Sequence, residues 1–347
     1  MYNMENIMNF TKTELENKMV SLGEKKFKAT QIFEWIYKHH VYNFDDMGNI
    51  SNKTKEILKQ NFEFKWIKLN IVEEDKLTKK FLFDLVDGDH IEAVLMIHDY
   101  GLSVCVSSQV GCNMHCAFCE SGKYGKKRNL EAYEIVEQIL LIEKYINQKI
   151  NSIVVMGIGE PFDNYDELIR FISIANEPKG LEIGSRHITV STCGIVPKIK
   201  EFSTLPYQVN LAISLHAPYD ELRNKLMPVN KVYSLDKLIP TIKDYIQKTS
   251  RRVTIEYVML NMVNDRKEDA LKLAELLKGM NIYVNLIPFN ETNSDFKKSE
   301  KKRIDSFYDT LKQNGINVTV RKEFGGNISA ACGQLRSKVN LIKEANK

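Results

Sequence analysis

The chain has 347 residues, of which 43% are hydrophobic, enough for one large domain or for a large domain with a small appendage. Its 49 Lys and Arg residues against 45 Asp and Glu residues leave a net charge of +4, which is compatible with nucleic acid but too weak to indicate it. The first residues lack the basic-then-apolar order of a secretory leader, and no stretch approaches the about 18 apolar residues of a transmembrane helix. We therefore expect a soluble, cytoplasmic protein.

The first hundred residues divide into two segments of different pattern. Within residues 1–65, apolar side chains recur at helical spacing between Phe27 and Tyr37, which predicts a small helical domain. Within residues 66–100, two apolar runs flank Asp87-Gly88-Asp89, which is typical of a β-hairpin turn. The sequence therefore predicts a helical N-terminal domain followed by a short β extension.

Glu92 lies inside the second apolar run of this hairpin. Val94 and Met96 share its face of the predicted strand. A carboxylate in so apolar a strand is unusual, because burying its charge is costly without a partner. Glu92 is therefore a candidate functional group, and a solvated strand residue is the alternative interpretation.

From residue 101 to residue 347, short apolar strands alternate with amphipathic helices. This alternation predicts a parallel sheet, and six such units indicate a barrel or partial barrel. In that architecture the reacting groups lie at the carboxyl ends of the strands. The predicted strands are 102–108, 152–156, 187–191, 210–215, 253–258 and 282–287, and the predicted helices are 131–147, 164–176, 235–248 and 267–279.

Three cysteines follow the first predicted barrel strand in one loop. Cys112, Cys116 and Cys119 have the spacing C-x3-C-x2-C, at which thiolates can hold three irons of a cubane cluster and leave the fourth open for a small ligand. A structural zinc site generally closes all four positions. Zinc would need His115 or a distant cysteine, and the sequence has no second C-x2-C pair. The spacing therefore favours a [4Fe–4S] cluster.

Glycines and polar groups follow several other predicted strands. Gly159 and Glu160 end the second strand, where glycine lets the backbone approach a ligand and a carboxylate can meet an ammonium group. An ordinary glycine-rich turn between a strand and a helix is the alternative. A lone histidine after a strand is more often structural than catalytic, and for His216 the two interpretations are about equally favoured. The later strand ends supply Ser191, Ser214, Leu215, His216 and Asn290.

Three cysteines lie outside the cluster loop. Cys105 belongs to the first predicted barrel strand, and Cys332 lies in the sequence GGNISAACGQL. From the residues alone, two inert thiols are the favoured interpretation of this pair. Cys193 is expected to be a small buried thiol without a role.

A basic run with one aromatic residue directly follows the cluster loop. Such runs are usually solvated faces, but this position beside a predicted active site suits phosphate contacts and base stacking. The run comprises Lys123, Tyr124, Lys126, Lys127 and Arg128.

Together these motifs resemble the RlmN/Cfr family of radical S-adenosylmethionine (SAM) enzymes. C-x3-C-x2-C with Phe118 before its last cysteine is similar to the superfamily signature, and CVSSQVGC, QIFEWIYKHHVYNFDDM, MGIGEPFDN and AACGQL resemble family segments along essentially the whole chain. The resemblance implies an α/β fold, a radical SAM partial (β/α)6 TIM-like barrel. In it, residues 1–65 would contact RNA, residues 66–100 would form the β extension, and residues 101–347 would form the barrel with a Cys332 loop.

The resemblance also implies residue roles. Cys112, Cys116 and Cys119 would hold the cluster, whereas SAM would be bound by Gly159, Glu160, Ser191, Ser214, Leu215, His216 and Asn290. Two SAM molecules would be used per turnover, one to methylate Cys332 and one to generate a radical that activates the S-methyl group. Cys105 would then attack Cys332 to release the product with a disulfide, and Glu92 would accept the ring proton. A radical is needed because a ring carbon of adenine is electron-poor and its proton is weakly acidic.

The substrate implied by the resemblance is C2 of an adenosine in the peptidyl-transferase centre of 23S rRNA, and the adenosine 3′ of the anticodon in some tRNAs. The target base must be unstacked to be reached. An electron donor such as flavodoxin or ferredoxin and a monomeric state are further expectations. A Cfr-like methylase acting on C8 is one alternative, but Gly159-Glu160-Pro161 and FEWIYKHH favour C2. A non-catalytic iron–sulfur or zinc RNA-binding protein is another, although binding alone needs neither Cys105 nor Cys332.

Overall fold

The computed structural model describes residues 4–290 and 294–321. Its strands are β1 (Glu5–Asn6), β2 (Phe62–Glu63), β3 (Lys68–Asp75), β4 (Thr78–Asp84), β5 (His90–His98), β6 (Gly101–Cys105), β7 (Gln109–Val110), β8 (Arg128–Asn129), β9 (Ser152–Val155), β10 (Ile188–Thr192), β11 (Asn210–Ser214), β12 (Val253–Met259), β13 (Ile282–Pro288) and β14 (Val318–Val320). Its α-helices are α1 (Lys12–Ser21), α2 (Phe27–Tyr37), α3 (Asn52–Asn61), α4 (Ala132–Ile146), α5 (Tyr165–Asn176), α6 (Val196–Phe202), α7 (Asp220–Leu226), α8 (Leu235–Thr249), α9 (Lys267–Leu277) and α10 (Lys301–Gln313).

The main sheet has ten strands in the order β14-β13-β12-β11-β10-β9-β6-β5-β4-β3. From β6 through β9 to β14 the strands are parallel and alternate with helices along the chain, so the predicted α/β class is confirmed. The six predicted barrel strands and four predicted helices are present with small shifts at their ends. β14, α6, α7 and α10 were not predicted.

Alternate side chains of the parallel strands face opposite sides of the sheet, because successive residues of a strand point in opposite directions. On one side, Ile153 of β9 and Val190 of β10 belong to the main hydrophobic core, together with Ile139 of α4 and Phe171 of α5. The other side carries a different set of residues. There the register places Cys105 beside Val154 and Ser214 beside Glu256, so this side supplies the barrel interior.

The predicted hairpin is present and extends the barrel sheet. β4 and β5 are antiparallel and join through a turn in which Gly88 has a φ of +83°. β5 is also antiparallel to β6, with Val94 opposite Cys105. Residues of the extension therefore share the interior face of the barrel. The domain boundaries at residues 65 and 100 stay predictions.

The parallel strands curve until β14, at one end of the sheet, approaches β5 across the barrel interior. Arg321 directly follows β14, and its Nη2 lies 3.6 Å from Sδ of Met96 on β5. Because β5 and β14 are separated by six strands in the sheet order, this contact marks the seam at which the barrel closes.

The N-terminal helices α1–α3 pack on the outside of the barrel. Helix α1 begins with a capping box between Thr11 and Glu14, which satisfies backbone N–H groups at its start. Glu14 also pairs with Arg170 of α5 at 3.0 Å, and Glu137 of α4 accepts a hydrogen bond from the backbone N–H of Ile67 at 2.7 Å. No helix in the described part of the chain is long and apolar enough to cross a bilayer.

Candidate active site

A cavity of about 350 Å³ opens at the carboxyl ends of the barrel strands. Its lining brings together most of the site residues predicted from the sequence, which are Cys105, Cys112, Cys116, Cys119, Gly159, Glu160, Ser191, Ser214, His216 and Asn290. Leu215 and Glu92 are not part of this lining, and Cys332 lies outside the described residues. The structure therefore gathers one thiol of the predicted redox pair, the cluster cysteines and most of the predicted SAM ligands around one space.

The cluster loop is held in place by backbone contacts. Cys112 N–H donates to the carbonyl of Gly125 at 3.2 Å, and Ala117 N–H donates to Leu226 of α7 at 2.9 Å. Gly111 has a φ of +84°, and a Cβ there would lie 1.9 Å from the Gly125 oxygen. This close approach requires glycine, and it fixes the point at which the cysteine loop begins.

The chemistry of the three thiols fits a metal cluster. Burial raises the pKa of Cys112 to about 12 and the pKa of Cys116 well above its ordinary value, and Cys119 reinforces both shifts. Three neighbouring thiolates in this setting are therefore costly unless positive charge is bound between them. Irons coordinated by sulfur would supply that charge, so Cys112, Cys116 and Cys119 are suited to hold an iron–sulfur cluster.

His115 was one of two candidates for the fourth ligand of the zinc alternative, a distant cysteine being the other. Its backbone has a φ of +49°, and its Nδ1 lies 3.1 Å from the carbonyl oxygen of Gly122. The backbone of the same loop therefore engages one ring nitrogen of His115.

The glycine-rich end of β9 forms another wall of the cavity. A Cβ on Gly157 would lie 2.6 Å from the Val106 oxygen, and Gly159 has a φ of +114°. A side chain at Gly157 would therefore clash with the backbone of Val106, and one at Gly159 would strain the backbone of the turn.

Glu160 is buried behind this turn, and its carboxylate is held from two sides. Oε1 accepts from the N–H of Phe162 at 3.0 Å, and Oε2 accepts from the N–H of Cys193 at 2.8 Å. Burial raises the pKa of Glu160, whereas hydrogen bonds from Thr192, Cys193 and Phe162 oppose the rise. Such a fixed carboxylate at the cavity wall is suited to bind an ammonium group.

The ends of β10 and β11 supply hydroxyl groups and a histidine. The hydroxyl oxygens of Ser191 and Ser214 are 3.3 Å apart. His216 accepts a hydrogen bond from Val258 N–H on Nδ1 at 3.0 Å, and burial lowers the pKa of His216 to about 3. The imidazole is therefore neutral, and it fixes the end of β11 against β12. Leu215 is fully buried in the same wall.

Glu92 is buried beside a lysine that the sequence analysis did not single out. Its carboxylate lies 2.9 Å from Nζ of Lys80 on β4, and both side chains are almost fully buried. The backbone oxygen of Glu92 accepts a hydrogen bond from Ser107 Oγ at 2.6 Å. Glu92 is thus an ion-paired buried residue and not a solvated one. It lies two residues along β5 from Val94, which lines the cavity.

Each basic side chain that follows the cluster loop has an acidic partner. Tyr124 is exposed. The pairs are Lys123 with Glu120, Lys126 with Asp163, Lys127 with Asp89, and Arg128 with Asp87 and Glu134. Contacts to RNA phosphates would therefore compete with these ion pairs. This competition weakens the prediction that the basic run binds RNA.

Glu256 is a cavity residue that the sequence analysis missed. It is buried in β12, lines the cavity, and accepts a hydrogen bond from Asn285 Nδ2 at 2.8 Å. Burial raises the pKa of Glu256 to about 7, and the Arg321 charge opposes the rise. The signal was available, because Glu256 interrupts an apolar strand in the same way as Glu92.

Glu256→Gln is expected to change how stability depends on pH. The Glu256 pKa is about 7 in the folded protein against an ordinary value of 4.5, so the folded state holds this proton more tightly. The stabilisation that the folded protein gains from this proton is complete below pH 4.5, and it is lost as the pH rises to about 7. The free energy of unfolding of the wild type, relative to the variant, should fall by about 3 kcal/mol over that interval. Urea denaturation across this pH range measures the difference, and a pH-independent difference would contradict the assignment.

The parallel barrel with its three-cysteine loop at the carboxyl ends defines a radical SAM protein. A family model described as the radical SAM superfamily matches residues 106–274, which confirms the predicted fold class. Membership of this superfamily implies a [4Fe–4S] cluster and SAM as cofactors. A second model, described as the ribosomal RNA large subunit methyltransferase N-terminal domain, matches residues 5–64.

Individual relatives specify the family. The chain is 51% identical to the probable dual-specificity RNA methyltransferase RlmN of Spiroplasma citri, over 96% of this chain and 98% of that protein. It is 52% identical to the corresponding protein of Geobacillus kaustophilus, over 96% and 93%. The crystal structure of a radical SAM methyltransferase from Sphaerobacter thermophilus aligns with a TM-score of 0.89 at 40% identity, covering 95% of this chain and 98% of that one. The chain belongs to the RlmN family of radical SAM methyltransferases, and it is an enzyme.

Proposed function

We propose that this enzyme methylates C2 of an adenosine in the peptidyl-transferase centre of 23S rRNA, and of the adenosine 3′ of the anticodon in some tRNAs. The observation that carries the proposal is the single cavity shared by Cys105, the three cluster cysteines and the candidate SAM ligands. RNA as the substrate class is supported by the family and by the N-terminal match to an rRNA methyltransferase domain.

The residues present fit the two cofactors. Cys112, Cys116 and Cys119 would hold the cluster, and the fixed carboxylate of Glu160 would bind the ammonium group of SAM. Ser191, Ser214 and Asn290 would contribute polar contacts, whereas Gly159, Leu215 and His216 would shape the wall. When bound, the cofactors supply both a methyl group and a radical that can activate it, so two SAM molecules are used per turnover.

The chain's own residues then perform the polar steps. Cys332 would carry the methyl group as a thioether, because a thiolate is a good nucleophile towards the methyl group of SAM. Cys105 would release the product, since it lines the cavity at the end of β6. Glu92 would accept the ring proton, and the ammonium of Lys80 balances its charge.

The RNA must present an unstacked base to the cavity mouth. Residues 1–65 would grip the folded RNA around that base. A flavodoxin or ferredoxin would deliver the electron, and the enzyme would act as a monomer in the cytoplasm, where both RNA classes occur.

Locating the methyl group in the product tests the proposal. The reconstituted enzyme is incubated with a 23S rRNA fragment and with tRNA, and the digested nucleosides are separated by chromatography and identified by mass spectrometry. We expect 2-methyladenosine in both substrates. A product containing only 8-methyladenosine would establish the Cfr-like alternative, and methylated rRNA without methylated tRNA would remove the dual specificity.

A further inference from the structure

Arg223 is a fully buried arginine on α7, behind the wall that carries the SAM candidates. All of its guanidinium nitrogens donate hydrogen bonds, and every acceptor is electrically neutral. The acceptors are the backbone oxygens of Leu215 at 3.1 Å, Cys193 at 2.7 Å, Ser214 at 3.3 Å and Tyr233 at 3.4 Å, and Oδ1 of Asn230 at 2.8 Å. A guanidinium has five N–H groups, so Arg223 has no donor left for a cofactor.

A paired carboxylate would be the ordinary counter-charge of a buried arginine. Among residues 4–290 and 294–321, no carboxylate forms an ion pair with Arg223. Asp220 is a carboxylate whose charge acts on Arg223, and its Oδ1 accepts hydrogen bonds from Asn230 Nδ2 at 2.8 Å and from Leu235 N–H at 2.9 Å. An arginine keeps its charge in proteins, and a buried unpaired charge is penalised by several kcal/mol.

The wall that contains Arg223 also borders the cluster loop. Helix α7 contacts that loop directly, because Leu226 accepts the hydrogen bond of Ala117 N–H at 2.9 Å. Cys193 lines the cavity together with the three cluster cysteines. The peptide of Cys193 connects the buried side chains of Arg223 and Glu160. Its carbonyl accepts from Arg223, and its N–H donates to Glu160. The cation is thus bound to the backbone of a residue that shares the cavity with the cluster cysteines.

We propose that Arg223 is the fixed counter-cation of the iron–sulfur cluster and makes the cluster easier to reduce. A [4Fe–4S] cluster held by three thiolates carries one net negative charge before reduction and two afterwards. A cation in a low-dielectric wall therefore stabilises the reduced state more than the oxidised state. The hydrogen bonds to carbonyls hold the guanidinium at a constant distance in both states.

The proposal requires the cluster at Cys112, Cys116 and Cys119, but it does not depend on which RNA carbon is methylated. Its failure is therefore distinguishable from failure of the proposed function, because the methylated position is read from nucleosides and the present inference from a reduction potential.

The test compares three variants of the anaerobically reconstituted protein without RNA or SAM. Arg223→Gln removes the buried cation. Lys225→Gln is the matched control, because it removes the same charge from an exposed position two residues further along α7. Asp220→Asn removes the negative charge that acts on Arg223, while the amide oxygen can still accept both hydrogen bonds. The midpoint potential of each cluster is measured by redox titration with electron paramagnetic resonance.

We expect Arg223→Gln to disfavour reduction at least tenfold, which lowers the midpoint by 59 mV or more for one electron. Lys225→Gln should stay within twofold of the wild type, and Asp220→Asn should favour reduction by about twofold or more, in the opposite direction. An iron-loaded Arg223→Gln protein with an unchanged midpoint overturns the proposal. So does an equal shift in Lys225→Gln, because net charge alone would then explain the result.

Arg223→Gln leaves several buried carbonyls without a donor, and it can fail to fold. In that case Arg223→Lys decides the question, because a buried lysine amine can lose its proton whereas the guanidinium cannot. As the pH rises and the amine loses its charge, reduction of the cluster in this variant should become at least tenfold less favourable than in the wild type. A midpoint that follows the wild type throughout the pH titration rejects the counter-cation.

Discussion

Cys105→Ala is expected to leave the enzyme covalently attached to its RNA after one turnover. In the proposed mechanism, the methylene group joins the base to the sulfur of Cys332, and only attack on that sulfur by Cys105 releases the product. Alanine has no thiol, so the adduct should persist and multiple turnover should fall at least about 1,000-fold. Denaturing gel electrophoresis with labelled RNA measures the adduct directly.

Two control variants identify the source of this adduct. Cys193 is another buried cysteine of the same cavity, and Cys193→Ala should turn over without accumulating an adduct. The double variant Cys105→Ala/Cys332→Ala should form none, because the methyl-carrying sulfur is absent. An adduct in the double variant, or multiple turnover by Cys105→Ala, would be incompatible with the assigned thiol roles.

Glu92→Gln is expected to have two large effects. Methylation should fall about 100-fold or more, because a positioned base contributes that much to proton removal. The free energy of unfolding should fall by about 3 kcal/mol or more, since the substitution takes the carboxylate away from the buried Lys80. Single-turnover assays and urea denaturation measure the two effects separately, and SAM cleavage should persist.

A double-variant comparison separates chemistry from folding. Glu92→Gln/Lys80→Met removes both charges of the buried pair, so stability should largely recover while methylation stays low. Recovery of methylation along with stability would show that Glu92 supports the fold and does not accept the proton. Glu74→Gln, which disrupts an exposed pair with Lys79 on the same extension, should leave methylation unchanged.

The barrel and the cluster loop were predictable because their signals are local. Each barrel strand is a short apolar run, and the three cysteines stand within eight residues of one another. Helix α10 was also open to prediction, since Ile304, Phe307 and Leu311 are buried at helical spacing. β14 was not, because three residues carry too little pattern to distinguish a strand.

The buried charges were harder to foresee because their environment depends on distant parts of the chain. The pairing of Lys80 with Glu92 follows from the register of β4 against β5, which the sequence does not state. Arg223 lies in a helix of only seven residues with charged neighbours, so its local pattern gives no sign of complete burial. The partners of the basic run likewise come from four separate segments, at Asp87 and Asp89, Glu120, Glu134 and Asp163.

The seam between β5 and β14 limits how far Cys332, the proposed methyl carrier, can reach. Cys332 is eleven residues beyond Arg321, which lies at that seam and lines the cavity. A segment of this length spans at most about 36–40 Å when fully extended. Cys332 is therefore tethered to the cavity rim, and its encounters with Cys105 are intramolecular. The effective concentration of one thiol near the other is then on the order of millimolar, so the proposed disulfide formation and product release would not depend on how dilute the enzyme is.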